Sequence, residues 1–170
     1  VFFATNKVRS EKKQKELDFL ALQIEKASDA IYTVDAELKI NNWNYGAEKL
    51  YGFTKEEVIG RDPNEVLQTD TGSLDLHRLK NDIDQQDCQT GVLKRRTTDG
   101  KVICVQVSIS TIRIDGMITG YVVVNFDISE QKRLSEQVNH LAQIVEQSSE
   151  AIFSRALDMR IISWNHGAEE

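Results

Sequence analysis

The sequence predicts an α+β fold: a five-stranded antiparallel sheet with short helices on one face, flanked by coiled-coil-like linker helices. Two short apolar runs come first, then several short helical segments, then three longer strand-like runs separated by Asp-Gly turns. Apolar residues with heptad spacing stand on both sides of this block. Strands grouped around a block of helices are typical of α+β domains, because βαβ proteins alternate their elements one by one.

The first 27 residues are predicted to form a linker helix. Its apolar residues follow the a and d spacing of a heptad: Leu17, Leu20, Ile24 and Ala27. This spacing favours contact with a second helix, although a helix that lies on its own domain shows the same pattern. The stretch covers about two heptads, fewer than a coiled coil usually shows.

Two strands and a short helix are predicted next. The apolar runs 31–34 and 38–43 form the strands, with a turn between them. Tyr45–Tyr51 forms the helix. Gly52 follows directly, where a left-handed C-cap is easily adopted.

The caps of two further short helices can be read from the sequence. Thr54 and Glu57 have the spacing of a capping box. Asp62 and Pro63 fit the N-cap and first turn of the next helix. A longer helix is predicted from its apolar residues, which are Leu74, Leu76, Leu79 and Ile83.

Residues 90–128 are predicted to form three antiparallel strands. Asp99-Gly100 and Asp115-Gly116 are strong hairpin turns, and between them lie alternating apolar residues, Ile103, Val105, Val107 and Ile109. The last strand is apolar on both faces. We therefore expect the domain's own helices on one face and a flanking helix or a partner chain on the other.

An internal repeat links the two ends of the chain. A shift of 121 residues places the Trp-Asn-x-Gly-Ala-Glu segment at 43–48 on its second copy at 164–169. The same shift aligns the heptad residues of the first linker with those of a second, which are Leu134, Val138, Leu141 and Val145. A register kept without gaps indicates one whole unit and the beginning of another.

The repeated segment is interpreted as a structural corner. Trp43 and Trp164 are expected to pack in a core, and Asn44 and Glu48 to fix the turn from strand to helix by local hydrogen bonds. The domains follow: a linker helix at 1–27, a domain at 28–130, a linker helix at 131–147, and a truncated second domain at 148–170. Because this last segment lacks three strands, we expect it to be poorly ordered or to borrow a partner's surface.

Composition excludes several classes of function. A net charge of −6 argues against general nucleic-acid binding. The two cysteines, Cys88 and Cys104, form neither a CxxC motif nor a zinc pattern, which favours a reducing compartment. No apolar run reaches the roughly 20 residues of a membrane span.

The chain begins at Val1 rather than Met, and we expect it to be a piece of a longer protein. Its first residues, VFFATNK, are expected to be either the tail of a membrane helix or an ordinary helix start. Basic residues follow closely, as they do on the cytoplasmic side of a span: Lys7, Arg9, Lys12, Lys13 and Lys15. The expected location is cytoplasmic, with a tether to the inner membrane if a span precedes.

No enzymatic motif is present. The sequence has no phosphate loop, no HExxH and no paired metal carboxylates. His140 is not followed by the acid and the downstream proline expected of a phosphoacceptor. We therefore predict no catalysis and no metal site in this segment.

Residues 28–132 resemble the PAS family of sensor domains. The resemblance rests on the order and spacing of several short motifs: Ser28–Ile31, Trp43–Glu48, Leu50–Phe53, Glu56–Gly60, Thr98–Lys101, Gly120-Tyr121 and Asp127–Lys132. It implies a signal-transduction module that dimerises through flanking helices and the outer sheet face. It also implies a tandem arrangement upstream of an output domain, a histidine kinase or a cyclic-dinucleotide enzyme. The resemblance does not imply a particular signal or ligand.

The exit from the domain also resembles the family. Asp127 and Ser129 match the acidic and hydroxyl residues that anchor the last strand to the outgoing helix. This resemblance implies a role in signal relay, and capping of the helix near Glu130 is the alternative.

Cofactor binding is the alternative function, with haem or flavin as candidates and no cofactor as the preferred interpretation. Light-sensing LOV members need a flavin-attacking cysteine where this chain has Pro63. This chain has Val105 at the position where LOV members have an inward-pointing asparagine. Asn125, however, lies at the position where they have an amide that contacts the flavin. Haem members place a ligand on the long helix, which makes His77 the candidate.

A small-molecule ligand is also possible in the family. Periplasmic-type members bind small carboxylates through basic pocket residues, for which Lys94, Arg95 and Arg96 are the candidates. Because the three are consecutive on one strand, alternate ones at most can point inward. The preferred interpretation of this run is a solvated outer face.

Overall fold

The structure, a computed structural model, describes residues 2–70 and 87–169, with the backbone alone for residues 2–10. The chain divides into two compact units, residues 1–128 and 129–170. Of the helices in the described residues, none combines the length and hydropathy needed to cross a bilayer.

The first unit contains the predicted sheet. Helix α1 spans Phe2–Glu25, and the strands are β1 (Ala30–Asp35), β2 (Ile40–Trp43), β3 (Cys88–Arg96), β4 (Val102–Ile114) and β5 (Met117–Asp127). They form one antiparallel sheet in the order β2-β1-β5-β4-β3. The predicted fold class is therefore confirmed.

Three short helices follow β2, and their caps agree with the prediction. They are α2 (Tyr45–Tyr51), α3 (Lys55–Val58) and α4 (Pro63–Val66). Gly52 ends α2 in the left-handed conformation. The Glu57 carboxylate accepts a hydrogen bond of 2.8 Å from the Thr54 N–H, and the Asp62 carboxylate accepts one of 2.8 Å from the Asn64 N–H. These short-range bonds satisfy amides that a helix start leaves unpaired.

The strand boundaries differ from the prediction by one or two residues, and the start of the second strand has a clear cause. Strand β2 begins at Ile40, because Leu38 takes a left-handed conformation with φ of 63°. Its N–H donates to the Asp35 carbonyl, which makes Leu38 part of the turn. The second hairpin turn is as predicted, with positive φ at both Asp115 and Gly116, the geometry of a type I′ turn.

The core lies between one face of the sheet and α2–α4. Its aromatic centre is a row in which the Tyr32 and Trp43 rings are 5.2 Å apart and the Trp43 and Tyr51 rings 5.6 Å. Trp43 is fully buried, and its indole N–H donates to the Phe53 carbonyl over 3.1 Å. Its predicted packing role is confirmed.

The second unit holds helix α5 (Ser129–Glu146) and a two-stranded hairpin, β6 (Phe153–Arg155) and β7 (Ile161–Trp164). Its copy of the tryptophan, Trp164, is 54% exposed and donates to Glu169. The expected packing of Trp164 is thus not seen, because the described part of this unit offers only two strands to cover the ring.

Candidate functional site

Asn44 joins three elements of the first unit. It is the N-cap of α2, where its Oδ1 accepts from the N–H groups of Ala47 (2.8 Å) and Ile31 (2.9 Å). Its Nδ2 donates to the carbonyl oxygens of Asp29 (2.9 Å), Ile24 (3.1 Å) and Ala27 (3.4 Å). One fully buried amide therefore ties the end of α1 to the start of β1 and the start of α2.

The second unit repeats this joint. Asn165 Nδ2 donates to the carbonyls of Val145, Ser148 and Glu150, and its Oδ1 accepts from the Ile152 N–H over 2.8 Å. Every partner lies 121 residues after the corresponding partner of Asn44. The sequence repeat is therefore also a repeat of hydrogen bonds, and the corner interpretation of the Trp-Asn segment agrees with it.

A buried arginine lies on the inward face of β3. Arg95 is only 3% exposed, whereas its neighbours Lys94 and Arg96 are exposed. The interpretation of this run as a solvated face is therefore wrong for Arg95. Alternation along the strand places Arg95 on the same face as buried Leu93.

Arg95 is held by polar groups from α2 and β5. Its Nη1 donates to Asn125 Oδ1 over 2.8 Å and to the Tyr51 hydroxyl over 3.2 Å. The guanidinium carbon lies 5.7 Å from the ring centre of Tyr32 and 6.0 Å from that of Tyr51. Asn125, predicted as a cofactor contact, is thus a buried partner of Arg95.

A series of hydrogen bonds connects this cluster to α1. Asn125 accepts from Arg95 and donates its Nδ2 to the Ala30 carbonyl over 3.3 Å. The residues on either side of Ala30, Asp29 and Ile31, are both bonded to Asn44. Asn44 in turn bonds to the last turn of α1. The three consecutive residues 29–31 therefore connect the buried Arg95 cluster, through Asn125 and Asn44, to the end of α1.

Burial raises the pKa of the Tyr51 phenol to about 12, with a smaller opposing effect of the neighbouring Arg95. Burial alone lowers the pKa of Arg95, but interaction with the oxygens of Tyr32 and Tyr51 outweighs it and leaves the pKa above its ordinary value. The guanidinium therefore carries its charge at every physiological pH.

The pKa of Tyr51 leads to a prediction for alkaline solution. A phenol with a higher pKa in the folded state contributes stability below the unfolded pKa of 10.0 and loses it as pH rises toward 12. We expect wild type to lose about 1–2 kcal/mol more than Tyr51→Phe between pH 9.5 and about 11.5. Urea denaturation of both proteins across this range measures the difference. Parallel pH profiles would contradict the prediction.

The remaining predicted residues lie apart from this cluster or outside the description. His77, the haem candidate, lies outside the described residues. Asp127 is the exposed last residue of β5, and Ser129 is the first residue of α5. Their relay role stays a prediction. His140 is exposed on α5.

The described residues do not fit covalent flavin chemistry. Pro63 is buried at the first position of α4 and offers no nucleophile. The two thiols lie on the sheet instead, with Cys88 exposed at the start of β3 and Cys104 half-buried on β4. Among the described side chains, at 11–70 and 87–169, no group is suited to hold a metal ion.

The comparisons with known proteins agree with this geometry. The PAS fold family matches residues 18–128. Among solved structures, a PAS domain from Colwellia psychrerythraea is 25% identical, with a TM-score of 0.58, over 67% of this chain and 98% of its own. The light-state Aureochrome1 LOV domain is 25% identical, with a TM-score of 0.53, over 70% of this chain and 96% of its own.

A third structure is the PAS domain of a two-component sensor histidine kinase. It is 14% identical, with a TM-score of 0.58, over 68% of this chain and 98% of its own. No curated protein matches the chain. The family match covers more than half of the sequence and includes the end of α1, the sheet and the Arg95 cluster, and the chain therefore belongs to the PAS family.

Proposed function

We propose that residues 28–130 form a sensory and dimerising module that relays a signal to a downstream output domain, without covalent chemistry of its own. The observation that carries this proposal is the series of hydrogen bonds from Arg95 through Asn125 and Asn44 to the end of α1. A change of state in the interior can reach the helix along this series. A histidine kinase is the proposed output, in keeping with the usual position of PAS domains.

Dimerisation is proposed first through the linker helices. The heptad residues of α1 with described side chains are half exposed: Leu17, Leu20 and Ile24. Those of α5 are exposed as well: Leu134, Val138, Leu141 and Val145. An apolar stripe of this kind in water favours pairing with the same stripe of a second copy.

The outer face of the sheet is the second proposed contact. Since the odd-numbered residues 121–125 of β5 point into the core, Val122, Val124 and Phe126 lie on the opposite face. Ile31 is paired with Val124 on β1 and extends this apolar patch. Apolar residues on the solvent side of a central strand support cover by a partner.

A matched pair of variants tests the helical contact. Leu20 is 50% exposed and occupies a d position, while Leu22 is 54% exposed and lies off the stripe. We expect Leu20→Glu to weaken the dimer about 100-fold, because it places two carboxylates in the seam. Leu22→Glu should leave the dimer nearly unchanged. Sedimentation equilibrium measures both, and equal effects, or a wild-type monomer, would reject this contact.

The module is proposed to work in the cytoplasm, where a reducing environment keeps its two free thiols reduced.

The cofactor alternative is tested by the absorbance spectrum of freshly purified protein. A haem or flavin absorbance band would reject the proposed cofactor-free module and support the cofactor-binding sensor.

A further inference from the structure

The apolar stripe of α1, formed by Leu17, Leu20 and Ile24, is not covered by the domain that follows it. Residues 11–24 of the helix are all exposed, and each of the three stripe residues is about half exposed. The last turn of the helix is tied to the domain, where Glu25 lies 3.8 Å from the Lys55 ammonium. The stripe therefore needs a second surface to cover it.

The charges on the two sides of the stripe are opposite in sign. Before it, the basic segment 7–15 contains five basic residues and one acidic residue. After it, the acidic segment 28–70 contains nine acidic and four basic residues. Lys12, Lys13 and Lys15 are exposed at one end of the stripe, and Asp29 is exposed at the other. These charges can thus act on any partner that lies along the helix.

The two orientations of a helix pair place these charges differently. In a parallel pair, residues of equal number face each other, so Lys13, at the d position one heptad before Leu20, meets its own copy. In an antiparallel pair centred on residue 22, Leu20 of one copy faces Ile24 of the other. Leu17 then faces Ala27, and the contact stays apolar. The basic segment of each copy now lies along the acidic segment of the other, where opposite charges attract.

We propose that the apolar stripe of α1 binds the same stripe of a second copy in the antiparallel orientation. The stripe supplies the attraction, and the basic and acidic segments select the orientation, because the parallel pair places like charges together. The helix dipoles act in the same sense, since antiparallel neighbours bring opposite partial charges together. This inference rests on the proposed dimerisation through the linker helices and specifies how the two helices are arranged.

Disulfide formation between introduced cysteines measures the orientation. The background is the 170-residue protein with Cys88→Ser and Cys104→Ser, which removes both free thiols. Leu17→Cys alone should give no linked dimer, because antiparallel pairing separates the two thiols by about 15 Å along the axis, beyond the reach of a disulfide. An equal mixture of Leu20→Cys and Ile24→Cys, one of them isotopically labelled, should give more mixed dimer than both homodimers together.

Leu22→Cys is the control for random collision. Leu22 is 54% exposed but lies off the stripe, so it should form no disulfide in either orientation. A linked dimer of Leu17→Cys would reject the antiparallel orientation and keep the helical contact. No disulfide in any of the variants would reject both.

The response of the dimer to charge is a second measurement. Sedimentation equilibrium should give a Kd that rises about tenfold between about 50 mM and about 0.5 M NaCl, because salt screens attraction between opposite charges. The combined change Lys12→Gln, Lys13→Gln and Lys15→Gln should also weaken the dimer about tenfold at low salt, since glutamine keeps the helix propensity. In a parallel pair both changes relieve repulsion, so tighter association in either experiment would overturn the proposal.

Discussion

Replacing Asn44 by alanine is expected to destabilise the first unit by about 4 kcal/mol. The substitution removes two acceptor bonds, from Ile31 and Ala47, and leaves those buried N–H groups without a partner. It also removes the donor that satisfies the Asp29 and Ile24 carbonyls. Each orphaned buried group costs about 1–3 kcal/mol, and the loss of an N-cap alone costs about 1 kcal/mol. Urea denaturation followed by Trp43 fluorescence, with Trp164→Phe as background, measures the loss.

The repeat supplies a matched control for Asn44. Asn165→Ala removes the corresponding bonds in the second unit, except that Asn165 makes no side-chain cap bond of the kind that Asn44 makes to Ala47. It should leave the unfolding of the first unit within about 0.5 kcal/mol of wild type. Asn44→Asp separates the donor from the acceptor, since it keeps Oδ1 but places a carboxylate against the Asp29 carbonyl. If Asn44→Asp were as stable as wild type, the Nδ2 bonds would contribute nothing and the joint would reduce to a helix cap.

The features that could be predicted from the sequence depend on neighbours along the chain. The Thr54–Glu57 box, the Asp62-Pro63 cap and the Asp115-Gly116 turn are formed by residues within three positions of one another. Local backbone chemistry decides such features, so a short sequence window contains their cause. Leu38 was wrongly predicted to begin the second strand. Its apolar side chain fits a strand pattern, but the turn that precedes it sets its φ.

The Arg95 cluster could not be predicted in this way. Its partners Tyr51 and Asn125 are 44 and 30 residues away in sequence. The segment Val92–Arg96 has an apolar residue in each alternating phase, so its pattern does not show which set faces the core. A run of three basic residues then favours solvent. The usable signal was the pair Leu93 and Arg95, which share one face, together with an unusual asparagine in the apolar strand β5.

The corner marked by the repeat could be predicted only in part from the sequence. The shift of 121 residues located the corner in the sequence. That Asn44 also joins α1 to the domain is visible only from its hydrogen bonds in the structure. Two of its partners, the carbonyls of Ile24 and Ala27, belong to the linker before the domain, 20 and 17 residues earlier. A residue that looks like a local cap is therefore also the connection between linker and domain.

Gly46→Ala is the second substitution with a large expected effect, and its sign opposes helix propensity. Alanine stabilises an exposed helix by about 1 kcal/mol relative to glycine. At Gly46, however, an added Cβ would lie 2.2 Å from the Asp29 carbonyl oxygen and 2.7 Å from that of Ser28. The Asp29 carbonyl is held by its hydrogen bond from Asn44 Nδ2, so this part of the backbone cannot move alone. We expect a loss of about 3 kcal/mol from this overpacking.

Gly91→Ala is the control for this steric effect. Gly91 lies inside β3, and an added Cβ there meets no atom within 4 Å. Because alanine loses less backbone entropy than glycine on folding, this variant should equal wild type or gain up to about 1 kcal/mol. Urea denaturation of both variants gives the comparison. Similar stabilities would show that the α1–β1 connection yields to the methyl group, whereas a loss confined to Gly46→Ala supports a rigid contact between the linker and α2.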